Sequence, residues 1–229
     1  MPKKYEWLLF DADDTLLDFK LGEHRAITAT LADAGLPTDD EVIATYSRIN
    51  DNLWKMLERG EVTKDRLKVL RFEQFCEHYG FDCDGVALAE SYVENLKKQT
   101  VLLDGAEDVC RALYGKYKMY IITNGIEAVQ TARFGGCAIK DYFEKCYISD
   151  AIGVAKPKKG FFDAVAADIE GFDKSKALVI GDSLTSDIKG GVEYGIDTCW
   201  LNPTGKEVPD GMDITHVIGD IRELLGILE

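Results

Sequence analysis

The sequence predicts an α/β protein built on a parallel sheet, with a helical segment inserted after the first strand. Short apolar runs typical of buried strands alternate with amphipathic helical segments over most of the chain. From about residue 19 to residue 100 there is no convincing strand, and four helical segments follow one another. With 229 residues the chain has enough length for one large domain or two modest ones.

The predicted strands are continuously apolar rather than alternating, which is typical of parallel strands that are buried on both faces. They lie at Tyr5–Phe10, Lys118–Thr123, Cys146–Ser149, Ala177–Gly181 and Thr198–Leu201, with a weaker candidate at Thr215–Ile218. Helices are predicted between them at about 106–114, 127–135, 158–169, 186–194 and 220–228. The alternation predicts a sheet that is covered by helices on both sides.

The inserted segment is predicted to form a small helical bundle. Its four helices cover about 20–34, 38–60, 64–79 and 84–99, and glycines separate them. Thr38-Asp39-Asp40-Glu41 has the pattern of a capping box at the start of the second helix. One apolar stripe along that helix consists of Val42, Tyr46, Ile49, Leu53 and Leu57. We therefore expect a core domain made of 1–18 and 101–229, and a helical domain at 19–100.

Charge and composition exclude several classes of partner. The formal net charge is −14 and the pI is about 4.7, which argues against a nucleic acid polymer or an anionic membrane. No run approaches the roughly 18–20 apolar residues that a membrane span needs. The N-terminal segment lacks the long apolar stretch of a secretory signal, so we expect a cytoplasmic protein.

Six cysteines are present, and no two of them have CxxC spacing. They stand at 76, 83, 110, 137, 146 and 199, mostly in apolar surroundings. Buried free thiols in a reducing compartment are therefore the expected state, and a zinc or disulfide role is disfavoured.

The first chemically informative segment is Asp11-Ala12-Asp13-Asp14-Thr15, directly after the first strand. The carboxylates of Asp11 and Asp13, two residues apart, would repel each other, and a divalent cation would offset that repulsion. The carboxyl ends of parallel strands are also where such sheets bind ligands. The alternative is a polar turn that caps the following helix.

Further polar residues stand at the ends of two other predicted strands and in the loop after a third. Thr123-Asn124-Gly125 ends the second strand, where hydroxyl, amide and backbone N–H groups could donate to a phosphate oxygen. Lys156 precedes Pro157, which restricts it to extended geometry. Asp182 ends the fourth strand, and Asp187 lies at the start of the next helix. Capping turns and a solvated lysine are the alternatives, although helix capping explains Asp187 better than Asp182.

Taken together, these segments resemble the four signatures of the haloacid dehalogenase (HAD) superfamily of hydrolases, in the family's order. The matching residues are Asp11 through Thr15, Thr123, Lys156, and Gly181-Asp182 through Asp187. The resemblance covers the whole chain, because the insert is similar to the four-helix-bundle cap of subfamily I on a Rossmann-like core. Lys158-Lys159-Gly160 departs from the acidic residue and proline that often follow the family's Lys-Pro.

The resemblance implies a sheet ordered 5-4-1-2-3 and a role for each residue. Asp11 is the implied nucleophile and Asp13 the implied general acid and base. Mg²⁺ would be held by Asp11, the backbone carbonyl of Asp13, and Asp182. The implied phosphate ligands are Thr123, Asn124 and Lys156, while Asp187 would bind metal-bound water or orient Lys156, and Thr15 would fix the turn.

Within the superfamily the insert resembles the pyrimidine 5′-nucleotidase-like members. The matching segments are Leu17-Asp18-Phe19, Asn50-Asp51-Asn52-Leu53-Trp54, Glu58-Arg59-Gly60 and Arg71-Phe72. This resemblance implies that Phe19 and Trp54 stack on a nucleobase, with the packed interior of the cap as the alternative for Trp54. The expected function is a Mg²⁺-dependent phosphatase acting on a small phosphorylated metabolite, a nucleoside 5′-monophosphate, in a monomer or homodimer.

Other activities of the superfamily stay open to different degrees. A sugar-phosphate or phosphoglycolate-type phosphatase is the nearest alternative, and a phosphomutase would use the same two aspartates. A dehalogenase is disfavoured, because halide leaves without a proton and the dehalogenases of this superfamily lack a carboxylate at the position of Asp13. A non-catalytic sensor is least favoured, since Asp11, Asp13 and Asp182 are all present.

Overall fold

A computed structural model describes residues 4–228 of the chain. The chain divides into two compact units, Met1–Phe19 with Thr100–Glu229, and Lys20–Gln99. Among the described residues, no helix combines the length and the apolar character needed to cross a membrane.

The first unit contains a six-stranded sheet in which all strands run parallel. The strands are β1 (Trp7–Phe10), β2 (Lys118–Thr123), β3 (Lys145–Ile148), β4 (Ala177–Gly181), β5 (Asp197–Leu201) and β6 (His216–Ile218). Their order across the sheet is β3-β2-β1-β4-β5-β6. The predicted parallel α/β sheet and its implied strand order are confirmed, and β6 extends the sheet beyond β5.

Ten α-helices are found among the described residues. Those with residues in the second unit are α1 (Phe19–Asp33), α2 (Asp40–Glu58), α3 (Lys64–Tyr79) and α4 (Gly85–Lys97). Those of the first unit are α5 (Ala106–Leu113), α6 (Glu127–Gly136), α7 (Ser149–Ile152), α8 (Lys159–Asp168), α9 (Lys189–Tyr194) and α10 (Leu224–Leu228). The helix predicted at 186–194 is shorter than expected, because a π-helical turn at Leu184–Ile188 precedes α9.

Side chains of β1 alternate between two apolar layers, one on each face of the sheet. Leu8 and Phe10 pack into a layer that includes residues of α5 and α10. Trp7 and Leu9 pack into the opposite layer, which includes residues of α8. Because both faces are covered, every residue of β1 is buried, and polar groups can reach solvent only beyond the strand ends.

The register of the central strands brings three strand ends to one edge. Phe10 is paired with Ile121 of β2 and with Ile180 of β4. Asp11 therefore follows β1 at the level where β2 ends with Thr123 and β4 ends with Gly181. This edge is the carboxyl end of the sheet, where ligands bind in folds of this kind.

The second unit is helical, and its helix starts follow from local capping. The side chain of Asp39, rather than the predicted Thr38, accepts a hydrogen bond from Val42 N at the start of α2. Thr63 and Asp84 cap α3 and α4 in the same way. Gly80 ends α3 with a φ of 68°, a conformation that costs glycine little.

The expectation that all six cysteines are free thiols is wrong for two of them. Cys76 at the end of α3 and Cys83 before α4 form a disulfide. Their Cα atoms lie 6.5 Å apart, which is within the range that a disulfide spans. The other four cysteines are free, and three of those four are buried.

Candidate active site

The turn after β1 is held by backbone hydrogen bonds that run back to its own start. The N–H groups of Leu16 and Leu17 both donate to the carbonyl of Ala12, at 3.0 and 2.8 Å. Asp14 N donates to Leu17 O at 2.8 Å, and its φ of 55° lies in the left-handed region that aspartate tolerates better than most residues. Asp11 N donates to Ile180 O at 2.8 Å, so the start of the turn is fixed to β4.

Lys156 occupies the centre of the site and is 2% exposed. Its Nζ donates to Asp11 Oδ1, to Asp187 Oδ1 and to the carbonyl of Ile122, each at 2.6 Å. An ammonium group has three N–H donors, and these three acceptors match that number. The lysine is thereby fixed in direction between the ends of β1, β2 and β4.

The side-chain amide of Asn124 fixes the backbone that carries Lys156. Its Nδ2 donates to Lys156 O and its Oδ1 accepts from Lys156 N, both at 2.9 Å. The Lys156–Pro157 peptide bond is cis. Asn124 therefore holds the lysine loop against the end of β2, a contact that its predicted role as a phosphate ligand did not include. Direct binding of phosphate by Asn124 stays a prediction.

Three carboxylates converge beside Lys156. Asp11, Asp182 and Asp187 each present an oxygen within 4.8 Å of the others. Asp187 is fully buried in the π-helical turn, and Ser183 N donates to its Oδ2 at 3.2 Å. Trp200 Nε1 donates to the carbonyl of Asp182 at 2.9 Å. The hydroxyl of Thr15 lies 3.5 Å from Asp182 Oδ1, which is at the long limit for a hydrogen bond.

Gly181 allows Asp187 to approach the end of β4. A Cβ atom built on Gly181 would overlap the carboxylate of Asp187. The glycine of the Gly-Asp signature is therefore required by the close approach of this carboxylate to the backbone.

The pKa values show an excess of negative charge in this cluster. Burial, and secondarily the neighbouring Asp187, raises the pKa of Asp11 well above its ordinary value. Burial and the charges of Asp187 and Asp14 raise the pKa of Asp182 to about 7. Burial by itself would lower the pKa of Lys156, but its two bonded carboxylates hold it above its ordinary value. One ammonium therefore does not balance the three carboxylates.

The donor chemistry of this cluster fits a hard divalent cation. Mg²⁺ and Ca²⁺ prefer oxygen ligands, and carboxylates are their usual protein ligands. A divalent cation would also offset the negative charge that raises the pKa of Asp11 and Asp182. The residues present therefore fit the magnesium ion that the sequence predicts.

Two residues that the sequence analysis missed bind the carboxylate of Asp13. Gln130 Nε2 donates to Asp13 Oδ2 at 2.8 Å, and Arg133 Nη1 donates to Asp13 Oδ1 at 2.6 Å. Gln130 Nε2 also lies 2.8 Å from the hydroxyl oxygen of Thr123. Both residues lie on α6, and both are 1% exposed. Their spacing of three residues on one helix was the available signal, but solvent-facing polar residues show the same spacing.

The two predicted specificity residues lie in different units of the chain. Phe19 ends the first of the two segments that make up the first unit, and its ring centroid lies 5.8 Å from the guanidinium carbon of Arg133. Trp54 is half-buried on α2 of the second unit. Their contact with a nucleobase stays a prediction.

The sequence is similar to that of known proteins over most of its length. Residues 5–195 match the family model described as haloacid dehalogenase-like hydrolase. The pyrimidine 5′-nucleotidase PynA of Streptococcus pneumoniae is 38% identical over 98% of this chain and 95% of its own length. The pyrimidine 5′-nucleotidase YjjG of Escherichia coli is 33% identical over 98% of both chains.

A solved structure is similar over nearly the whole chain. It is the crystal structure of the HAD-hydrolase YfnB from Bacillus subtilis, with a TM-score of 0.94 and 37% identity over 99% of this chain and 100% of that chain. That protein is bound to magnesium, and its structure reveals movement between its domains. On the family match and these relatives, the chain belongs to the haloacid dehalogenase-like hydrolases.

Proposed function

We propose that this protein is a Mg²⁺-dependent phosphatase that hydrolyses nucleoside 5′-monophosphates, with pyrimidine nucleotides preferred. The observation that carries the chemistry is the contact of Lys156 with both Asp11 and Asp187 at the carboxyl end of the sheet. The substrate class rests on the two pyrimidine 5′-nucleotidases, which match this chain at 38% and 33% identity along nearly its full length.

Asp11 is the proposed nucleophile. Its carboxylate follows β1 directly, and the bond from Lys156 to its Oδ1 fixes the orientation of the group. Attack of a carboxylate oxygen on phosphorus forms the bond to phosphate as the bond to the nucleoside oxygen breaks, which leaves an aspartyl-phosphate. Water then attacks the phosphorus of this acyl phosphate, which breaks the bond to the Asp11 oxygen, releases inorganic phosphate and restores the Asp11 carboxylate.

Asp13 is the proposed general acid and base. A nucleoside hydroxyl leaves poorly without a proton, so a carboxylic acid must supply one as the phosphorus–oxygen bond breaks. The same carboxylate then takes a proton from the water that cleaves the aspartyl-phosphate. The presence of Asp13 also favours phosphoryl transfer over carbon–halogen cleavage, because a leaving halide needs no proton.

Lys156 and Thr123 are the proposed contacts of the transferring phosphoryl oxygens, with Asn124 holding the lysine in place. Because the three N–H groups of Lys156 are bonded to Asp11, Asp187 and the carbonyl of Ile122, the lysine would act on these oxygens through its charge, or would exchange one of those bonds for a phosphoryl oxygen. A fixed ammonium beside a site of phosphoryl transfer stabilises the charge on those oxygens. Asp11, the backbone carbonyl of Asp13, and Asp182 would hold Mg²⁺. When bound, the ion would supply positive charge that offsets the repulsion between the Asp11 carboxylate and an anionic phosphate.

A hydrolysis screen tests the proposal. Purified protein is offered pyrimidine and purine 5′-monophosphates, 3′-monophosphates, sugar phosphates and phosphoglycolate, each with Mg²⁺ or with excess chelator. We expect release of phosphate from pyrimidine 5′-monophosphates with Mg²⁺ and none in chelator. Preference for a sugar phosphate or phosphoglycolate would overturn the substrate class, and full activity in chelator would overturn the metal dependence.

A further inference from the structure

Both carboxylate oxygens of Asp13 are held by side chains from a single helix. Arg133 donates to one oxygen at 2.6 Å, and Gln130 donates to the other at 2.8 Å. A carboxylate that is bonded at only one oxygen can still rotate about its terminal torsion. With a donor at each oxygen, both the position and the plane of the Asp13 carboxylate are fixed.

The two donors are themselves held in place by other contacts. Arg133 Nη1 also donates to Gln130 Oε1 at 3.0 Å, so the two side chains brace each other. Gln130 is bonded to the hydroxyl of Thr123, and it packs so closely on Gly125 that a Cβ atom there would lie 2.5 Å from its Cγ. The ring of Phe19 lies on the guanidinium of Arg133. Asp13 is thus connected to the end of β2 through a rigid set of side chains.

Arg133 is buried much more deeply than the carboxylate to which it donates, that of Asp13. Its side chain is 1% exposed, whereas that of Asp13 is 27% exposed. Burying an unpaired guanidinium costs several kcal/mol of folding free energy. Apolar residues at this position of α6 would pack the helix against the sheet without that cost, so the presence of a buried arginine points to its contact with Asp13. The exposed part of Asp13, in contrast, can still reach a substrate atom.

We propose that Arg133 and Gln130 are positioning residues that aim the Asp13 carboxylate at the leaving-group oxygen of the substrate. This inference rests on the proposed function, because it assumes that Asp13 transfers a proton to that oxygen. A misaligned acid costs rate only where the leaving group needs the proton. The two residues should therefore matter for a nucleoside leaving group and hardly at all for p-nitrophenolate, which leaves as an anion.

The test compares phosphoryl transfer to the enzyme from two substrates in rapid-quench single turnovers. One substrate is a pyrimidine nucleoside 5′-monophosphate and the other is p-nitrophenyl phosphate. We expect Arg133→Met to slow transfer from the nucleotide at least about 30-fold, and transfer from p-nitrophenyl phosphate less than about 3-fold. Gln130→Met also removes the bond to Thr123, so it should lower the nucleotide rate at least about tenfold more than the p-nitrophenyl phosphate rate. Asp13→Asn removes the acid itself, so its loss of the nucleotide rate relative to the p-nitrophenyl phosphate rate is the largest to be expected. Arg133→Lys should be faster with the nucleotide than Arg133→Met.

Arg111→Met is the matched control, because Arg111 is an exposed arginine on α5 that pairs with Glu107 and Asp108 of the same helix, and none of these residues has a proposed role in the site. It should leave both rates unchanged. Equal losses for the two substrates in the Arg133 and Gln130 variants, or no loss in either, would overturn the inference. If Arg133→Met does not fold, Gln130→Met and Arg133→Lys decide the question by the same ratio of rates.

Failure of the inference and failure of the proposed function give different results. If wild-type protein transfers phosphate from neither substrate, the proposed phosphatase function fails. If wild-type protein transfers phosphate from both and the variants lose both rates in proportion, only the positioning role of Arg133 and Gln130 fails.

Discussion

Lys156 Nζ lies 2.6 Å from Asp11 Oδ1, although 145 residues separate the two in the chain. The same nitrogen donates to Asp187 at the same distance, so it joins residues that follow two different strands. The contact depends on the sheet order, in which β1 lies between β2 and β4. A single buried cation thereby connects three of the four signature segments of the family.

Replacing Lys156 by an uncharged residue should reduce both activity and stability. We expect Lys156→Met to abolish phosphatase activity and to lower the free energy of unfolding by about 3–5 kcal/mol, because it leaves buried carboxylates without their partner. Urea unfolding in excess chelator measures the change. Lys159→Met is the control, since the Lys159–Asp163 pair is exposed and its loss should leave the free energy of unfolding almost unchanged. Equal stabilities of the two variants would contradict this role of Lys156.

A change at Gly181 should damage the site without removing any polar group. In Gly181→Ala the added methyl group overlaps the Asp187 carboxylate, which must then move away from Lys156. We expect a loss of turnover of at least about tenfold, because displacements near 1 Å are costly at active sites. Gly135→Ala on α6, where no atom lies within 4 Å of the new Cβ, should leave turnover unchanged. Unchanged kinetics in Gly181→Ala would show that the close approach is not required.

The Asp182 carboxyl should lower the stability of the metal-free protein as the pH rises. The pKa of Asp182 is about 7 in the folded protein and near its ordinary 3.8 in the unfolded chain, so the folded state binds the extra proton between these values. This group therefore lowers the stability progressively from about pH 4 to pH 7, by at most about 4 kcal/mol. Urea unfolding in chelator across this range should show a flatter pH dependence for Asp182→Asn than for wild type. Parallel pH curves for the two proteins would refute the assignment.

Thiol counting tests the disulfide of the second unit. Protein purified and denatured without reductant should show four reactive thiols, because Cys76 and Cys83 are joined and the other four cysteines are free. The same protein after reduction should show six, and Cys83→Ser should show five in either state. Six thiols in unreduced wild-type protein would contradict the pairing.

The placement of the principal carboxylates could be predicted because each follows an apolar strand directly. Asp11 and Asp182 stand at the ends of β1 and β4, and the edge at which parallel strands end is common to all of them. The neighbouring position of these two strands came from the resemblance to a family and not from the strands themselves. Apolar strand sequences do not specify their neighbours, since every strand of a buried parallel sheet has the same pattern.

The contacts of Asp13 and of Lys156 could not be predicted in the same way. Gln130 and Arg133 lie within a helix, and sequence does not show which polar side of a helix turns toward the end of a sheet. The amide of Asn124 bonds the backbone of Lys156, 32 residues further along the chain, and this contact was not predicted; its binding of phosphate stays a prediction. The Cys76–Cys83 bond depends on the distance between a helix end and a loop, which a spacing of seven residues does not determine.

The most direct test of this account is to identify the residue that carries phosphate during turnover. Wild-type protein is mixed with Mg²⁺ and a pyrimidine nucleoside 5′-monophosphate, quenched in acid within the first turnover, digested, and analysed by mass spectrometry. We expect phosphate on Asp11 and none on any peptide of the Asp11→Asn variant, whose turnover should fall to background. Phosphate on another residue, or continued turnover by Asp11→Asn, would contradict the assignment of Asp11 as the nucleophile.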